Sequence, residues 1–130
     1  MFARRQRPTR STPSKSSDPQ KRLLHIRDNI YLARTFVDGI AYEEFRDNQL
    51  IFYAVTRALE IISEASRRLP NEMKARHPDI PWNEMAGAGN VYRHDYEDVR
   101  RRLVWGTVHN RLPPLLAVVE RELARFGEPP

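Results

Sequence analysis

A chain of 130 residues with a formal net charge of +5 has room for one domain. Its 40% hydrophobic residues suffice for a modest core, and the absence of cysteine excludes disulfides and thiolate metal sites. No apolar run reaches the roughly 18 residues of a membrane span, and the N-terminal stretch has no apolar signal segment. A soluble cytoplasmic protein with no membrane contact is the expectation.

The charge is unevenly placed. Residues 1–22 hold seven basic side chains (Arg4, Arg5, Arg7, Arg10, Lys15, Lys21, Arg22) against one acid, Asp18, whereas the remaining 108 residues are close to neutral. With its Ser, Pro and single sign of charge, the first segment reads as a disordered basic arm over residues 1–20. The folded domain is assigned to residues 21–127. A flexible cationic arm serves either solubility or sequence-independent attraction to nucleic acid.

Asp18-Pro19 has the pattern of a helix cap followed by a first-turn proline. Leu23, Ile26, Ile30, Ala33 and Val37 then mark one helical face, and Gly39 is placed to end it. A short link over residues 40–46 carries Tyr42 and Phe45, which are expected to pack back. The next helix opens at Asp47, buries Ile51, Ala54, Val55, Ala58, Ile62, Ala65 and Leu69, and stops at Pro70. One more turn is expected over residues 71–77.

From Pro81, a residue suited to a first helical turn, Trp82, Met85, Gly89, Tyr92 and Tyr96 recur at alternating three- and four-residue steps. On another face of the same helix lie Asn90, His94 and Glu97, with Arg93 beside them. A final period runs through Leu103, Val104, Val108, Leu112, Leu116, Val119, Leu123 and Phe126. Pro113-Pro114 interrupts it, so a kink or two separate helices are expected. No stretch alternates like a strand. The fold class is therefore all-α, an antiparallel up-and-down bundle of four to five helices.

Chemistry is sparse. His25, His77, His94 and His109 are too scattered for a zinc site, and Glu60 with Glu64 lacks the histidine partner of a carboxylate metal centre, which leaves a polar helix face. No metal and no cofactor are expected. Arg100, Arg101 and Arg102 read either as a solvated helix start or as a phosphate-binding run beside His94. On residue types alone, His94 with Arg93, Asn90 and Tyr96 is the one cluster suited to catalysis, although a lone histidine on a bundle helix is more often structural.

The order of landmarks resembles the HepT-like group of HEPN-domain proteins. The segments are IRDNIYLARTFVDGIAYEEFRDN, AVTRALEIISEASRRLP, HPDIPWNEMAGAGNVYRHDY and VWGTVHNRLPPLLAVVERELA, together covering most of residues 23–123. The resemblance implies a dimeric helical bundle, a toxin of a toxin–antitoxin pair, and a metal-independent RNA endonuclease. It also implies a nucleotidyltransferase antitoxin as partner, able to adenylylate the toxin. The family's catalytic pattern is Arg, four residues, His, any residue, Tyr. His94 and Tyr96 match its last two members, Tyr96 being the candidate for adenylylation, and Asn90 matches the polar residue that follows the Arg. Gly89 stands where the family has Arg, and Arg93 is the substitute cation.

Those residue types suit metal-free RNA cleavage on physical grounds. Imidazole titrates near neutrality and serves as acid or base, and a guanidinium donates two bonds to phosphate oxygens. Tyr96 lies two residues from His94, off its face in a regular helix, so the two converge only if the helix ends near Asp95 or the pocket spans two subunits. Two alternatives follow: a catalytically degenerate relative that only binds a nucleotidyltransferase, and a helical nucleic-acid-binding protein that relies on its basic arm.

Overall fold

The computed structural model describes residues 14–88 and 97–127, with side chains from residue 19 and, after the internal break, from residue 98. Its elements in chain order are α1 (Ser14–Phe36), α2 (Tyr42–Asp47), α3 (Gln49–Arg67), α4 (Asn71–Ala75), α5 (Trp82–Gly87), α6 (Glu97–Gly106), a π-helical turn (Thr107–Arg111) and α7 (Leu112–Arg125). The described residues contain no strand, so the chain is an all-α helical bundle.

α1 packs along α3 and α7, and its expected face is the buried one: Leu23, Ile26, Ile30 and Ala33 are sealed off, with Val37 behind them. The helix starts at Ser14, ahead of the Asp18 cap read from the sequence, so Pro19 lies inside it. Proline has a helix-compatible φ, but inside a helix it removes one ladder bond and its ring crowds the preceding turn. Gly39 adopts φ +76°, the left-handed turn that releases the chain from α1 toward α2.

The link after Gly39 is itself a six-residue helix, α2, whose entry is secured by a bond from the Ala41 N–H to the Glu44 carboxylate at 3.1 Å. Phe45 is its buried residue, with ring centroids 5.9 Å from Phe52 and 5.3 Å from Trp105. The cap of α3 is Asn48, not Asp47: the Asn48 Oδ1 accepts from the Ile51 N–H at 3.0 Å. Starting one residue later leaves Asp47 in the last turn of α2, paired with Arg46. The buried face of α3 takes in Phe52 and Leu59 beyond the residues expected, while Ile51 and Ala54 are half-buried.

The last helical run divides here, as the Pro113-Pro114 pair led one to expect: α6 ends at Gly106 and α7 begins at Leu112, with the π-turn between them. α6 passes into the π-turn, whose wider winding is closed by a bond from the Leu112 N–H to the Thr107 carbonyl, and α7 follows directly. Pro113 and Pro114 thus enter in the first turn of α7, where they have little to donate. The Thr107 hydroxyl and the His109 Nδ1 donate to the carbonyls of Leu103 and Trp105, each at 2.8 Å. α6 packs on α2 and α3, whereas α7 packs on α1. Leu103 and Phe126, expected inside, are 41% and 44% exposed; Leu115 and Val118 are buried instead.

Candidate functional site

Gly89, Asn90, Arg93, His94 and Tyr96 all lie outside the described residues, between α5 and α6. The structure describes the two helical ends that carry this segment, and both are tied to the bundle by specific bonds.

α5 begins after Pro81, in agreement with that residue's suitability for a helix entry. The Trp82 indole N–H is shared between the carbonyls of Lys74 (3.1 Å) and His77 (3.0 Å), fastening α5 to the preceding corner. Met85 is 1% exposed and plugs the face toward α3. An Arg67 guanidinium N–H donates to the Ala86 carbonyl near the end of α5, and Arg111 of the π-turn pairs with Glu84 at 2.7 Å. Six residues alone cannot hold a helix in water, so these anchors and the Met85 plug define α5.

At the other end, α6 carries Arg100, Arg101 and Arg102. Successive residues of an α-helix point about 100° apart, so the three leave the helix on different faces. Arg101 turns inward, only 6% exposed, with its guanidinium 4.1 Å from the centre of the Phe52 ring. Arg102 lies over the Tyr42 ring at 4.8 Å and donates from Nε to Asp98 at 2.8 Å. The Tyr42 hydroxyl donates to the other Asp98 oxygen at 3.0 Å. These two donors, Arg102 first, hold the Asp98 carboxyl below the usual carboxylate range. Burial, then the bond to Asp98, raises the Tyr42 phenol above its ordinary value. The Arg101–Phe52 and Tyr42–Asp98–Arg102 contacts together fix where α6 emerges from residues 89–96.

Glu60 and Glu64 form the solvated face read from the sequence. Glu60 pairs with Arg57 at 3.2 Å, and Glu64 accepts from Arg67 at 2.7 Å and Arg68 at 2.6 Å. Among the described residues no group of three or more His, Asp or Glu side chains is arranged to hold a metal ion. No helix there is long and apolar enough to cross a membrane.

A second polar cluster escapes sequence reasoning. Glu122 of α7 is 2% exposed, and its carboxylate accepts from Arg76 at 2.8 and 3.1 Å and from the His77 Nε2. Arg76, then His77, hold its carboxyl below the normal range against the opposing effect of burial. Its partners lie 45 and 46 positions away in the chain, so no local spacing announces them.

The comparisons with known proteins converge. The family profile described as Ribonuclease HepT-like matches residues 26–122. A Thermococcus cleftensis protein named "Probable ribonuclease HepT" is 41% identical over 99 residues, covering 76% of this chain and 90% of that one. "Putative RNase MJ1380" of Methanocaldococcus jannaschii is 42% identical over 85 residues, 65% of this chain and 78% of its own. "Putative RNase TTE0752" of Caldanaerobacter subterraneus is 34% identical over 107 residues, 82% of this chain and 96% of its own. No solved structure gives a significant match. With its helical bundle and a profile match over most of the folded region, the chain belongs to the HepT-like family of HEPN-domain proteins.

Proposed function

We propose that this protein is a metal-independent RNA endonuclease acting from residues 89–96. The observation that carries the reading is family membership combined with His94 and Tyr96 at the family's catalytic spacing. The reaction uses the RNA's own 2′-hydroxyl, which attacks the neighbouring phosphorus. The P–O5′ bond breaks, leaving a 2′,3′-cyclic phosphate and a 5′-hydroxyl end. His94 moves the proton, from the attacking 2′-hydroxyl or to the leaving O5′. Arg93 supplies the fixed cation for the charge that builds on the phosphate oxygens, in place of the family's Arg at Gly89. Asn90 and Tyr96 orient or bond the phosphate, and Arg100 and Arg102 add positive charge at the start of α6.

The same reading makes the protein a cytoplasmic toxin held in check by a nucleotidyltransferase antitoxin, with Tyr96 as the site of adenylylation. It also makes it a homodimer that pairs through the α5–α6 region. Trp82, Met85 and Trp105 are packed into or against the core, so the apolar surface supporting that interface lies elsewhere. Val99 and Leu103, one turn apart on α6 and each 41% exposed, supply it. Sedimentation at tens of micromolar should give a dimer, and a monomer counts against the pairing.

Gly89 favours one second reading: a relative without cleavage activity that serves as the binding subunit of a nucleotidyltransferase. RNA cleavage in EDTA separates the two. Wild type should cut, and His94→Ala and Arg93→Ala should each fall by about a hundredfold or more while remaining folded. Wild type that does not cut, with Gly89→Arg gaining activity, establishes the degenerate reading and removes Arg93 from the mechanism.

A further inference from the structure

We propose that Glu122, far from residues 89–96 in sequence, is a positioning residue for that segment, acting through Arg76, His77 and Trp82. The inference rests on the ribonuclease reading for its effect on turnover, but the mechanical link is visible in the described residues.

The link has three joints. Glu122 is sealed inside the bundle on α7 and grips the corner that follows α4 with one carboxylate: two bonds from Arg76 and one from His77. The backbone of that corner then takes hold of α5. The His77 carbonyl accepts from the Ile80 N–H at 3.2 Å and from the Trp82 indole at 3.0 Å, and the Lys74 carbonyl shares the same indole N–H. Finally, α5 runs from Trp82 to Gly87 and delivers the chain directly to residues 89–96.

The arrangement has features that packing alone does not require. A charge 2% exposed is costly unless matched, and an apolar residue would fill the space at α7 as well. What a carboxylate provides and a leucine does not is direction: two oxygens fix the planes of a guanidinium and an imidazole at once. Among the side chains of α4 itself the anchor is apolar. Met73 is its buried side chain, an adaptable shape that does not set an angle. The Glu122 grip therefore sets the orientation of the corner, and the corner sets the entry of α5.

Reacting groups must sit within a fraction of an ångström of the productive geometry, and displacement of about 1 Å costs up to a hundredfold in rate. Loosening the grip should therefore lower kcat by about ten- to a hundredfold and leave KM nearly unchanged, since residues that touch RNA are retained.

The test uses Glu122→Gln, which keeps the shape and removes the charge, and Trp82→Phe, which keeps a ring and removes both indole bonds. The 130-residue chain has two tryptophans, so each indole N–H gives a separate NMR signal, assigned by its loss in Trp82→Phe. Trp105, packed against Tyr42 and Phe45, is the internal control for folding. Glu122→Gln is expected to shift or broaden the Trp82 signal, leave that of Trp105 in place and reduce kcat. The double variant should lose no more than the worse single one, because both cut the same link. If Glu122→Gln does not fold, Arg76→Lys keeps the charge, breaks the two-nitrogen grip, and should move the same signal. An unmoved Trp82 signal in a variant that folds, or losses of kcat that multiply in the double variant, overturns the proposal. Wild type that cuts no RNA removes the ribonuclease reading, and the Trp82 signal still decides whether Glu122 sets α5.

Discussion

Phe45→Ala is expected to be among the most damaging single changes in the bundle, because Phe45 is the one fully buried side chain of α2. The helix has six residues and one buried side chain, and an isolated helix of that length is not stable in water. Phe45 is 0% exposed, and its ring lies 6.3 Å from Tyr42, 5.9 Å from Phe52 and 5.3 Å from Trp105. Emptying a buried phenyl site typically costs 3–5 kcal/mol, roughly, and each ring pair adds about 0.5–1.5 kcal/mol beyond its area. The neighbours are large and partly able to collapse, so a loss of about 4 kcal/mol is expected. For a folded region near one hundred residues this corresponds to a fall in Tm of about 15–25 °C. Urea unfolding followed by tryptophan fluorescence reads it directly, since Trp105 borders the site, and a constant m-value validates the comparison. Phe45→Leu, which keeps most of the volume, should lose less than half as much. A loss below about 1.5 kcal/mol for Phe45→Ala would mean that α2 is not anchored by this ring, and the reasoning would fail.

Glu122 should dominate the acid limb of stability. Its carboxyl is held below the ordinary range in the fold, so its contribution is present above the unfolded pKa and disappears as pH falls through the lower folded value. Wild type should therefore lose stability below about pH 4, with Glu122→Gln less stable at neutral pH and flatter over the acid range; parallel curves for the two would refute this. Arg101→Ala should destabilise by about 2 kcal/mol or more through lost burial over Phe52, whereas Arg102→Ala, 65% exposed, should cost far less. Chemical denaturation of both variants checks the order, and an undisturbed Arg101→Ala with weakened RNA binding would assign Arg101 to phosphate instead of packing.

The long helices were legible because their burial is periodic. The face predicted for α1 is the face the bundle hides, down to Val37, and three- and four-residue spacing carries that information. α2 was not legible as a helix, since six residues complete fewer than two turns and only Phe45 is buried. The cap of α3 was displaced by one residue because Asp47 and Asn48 are both good caps, and composition alone cannot choose between adjacent ones. Arg101 had a readable signal that its charge obscured: with Val104 and Val108 it falls at i, i+3 and i+7, on the buried face of the same helix. The Glu122 grip was beyond sequence reading, because it joins positions brought together only by tertiary packing. The motif read at residues 89–96 lies outside the described residues, and the anchors on either side of it, Trp82 and Asp98, depend on partners elsewhere in the fold.

The π-turn at Thr107–Arg111 has an evolutionary consequence. A π-turn holds one residue more than the α-turn it replaces, so it acts as an absorbed insertion whose flanking helices keep their facing. Deleting one residue there would restore ordinary winding and leave α6 and α7 directed as they are. It would also bring the Pro113 ring against the preceding turn, at a cost of about 3 kcal/mol. Replacing Pro113 alone would leave the turn wide with no proline to accommodate. Deletion and proline loss are therefore coupled, and descendants of this sequence should keep both features or shed both together.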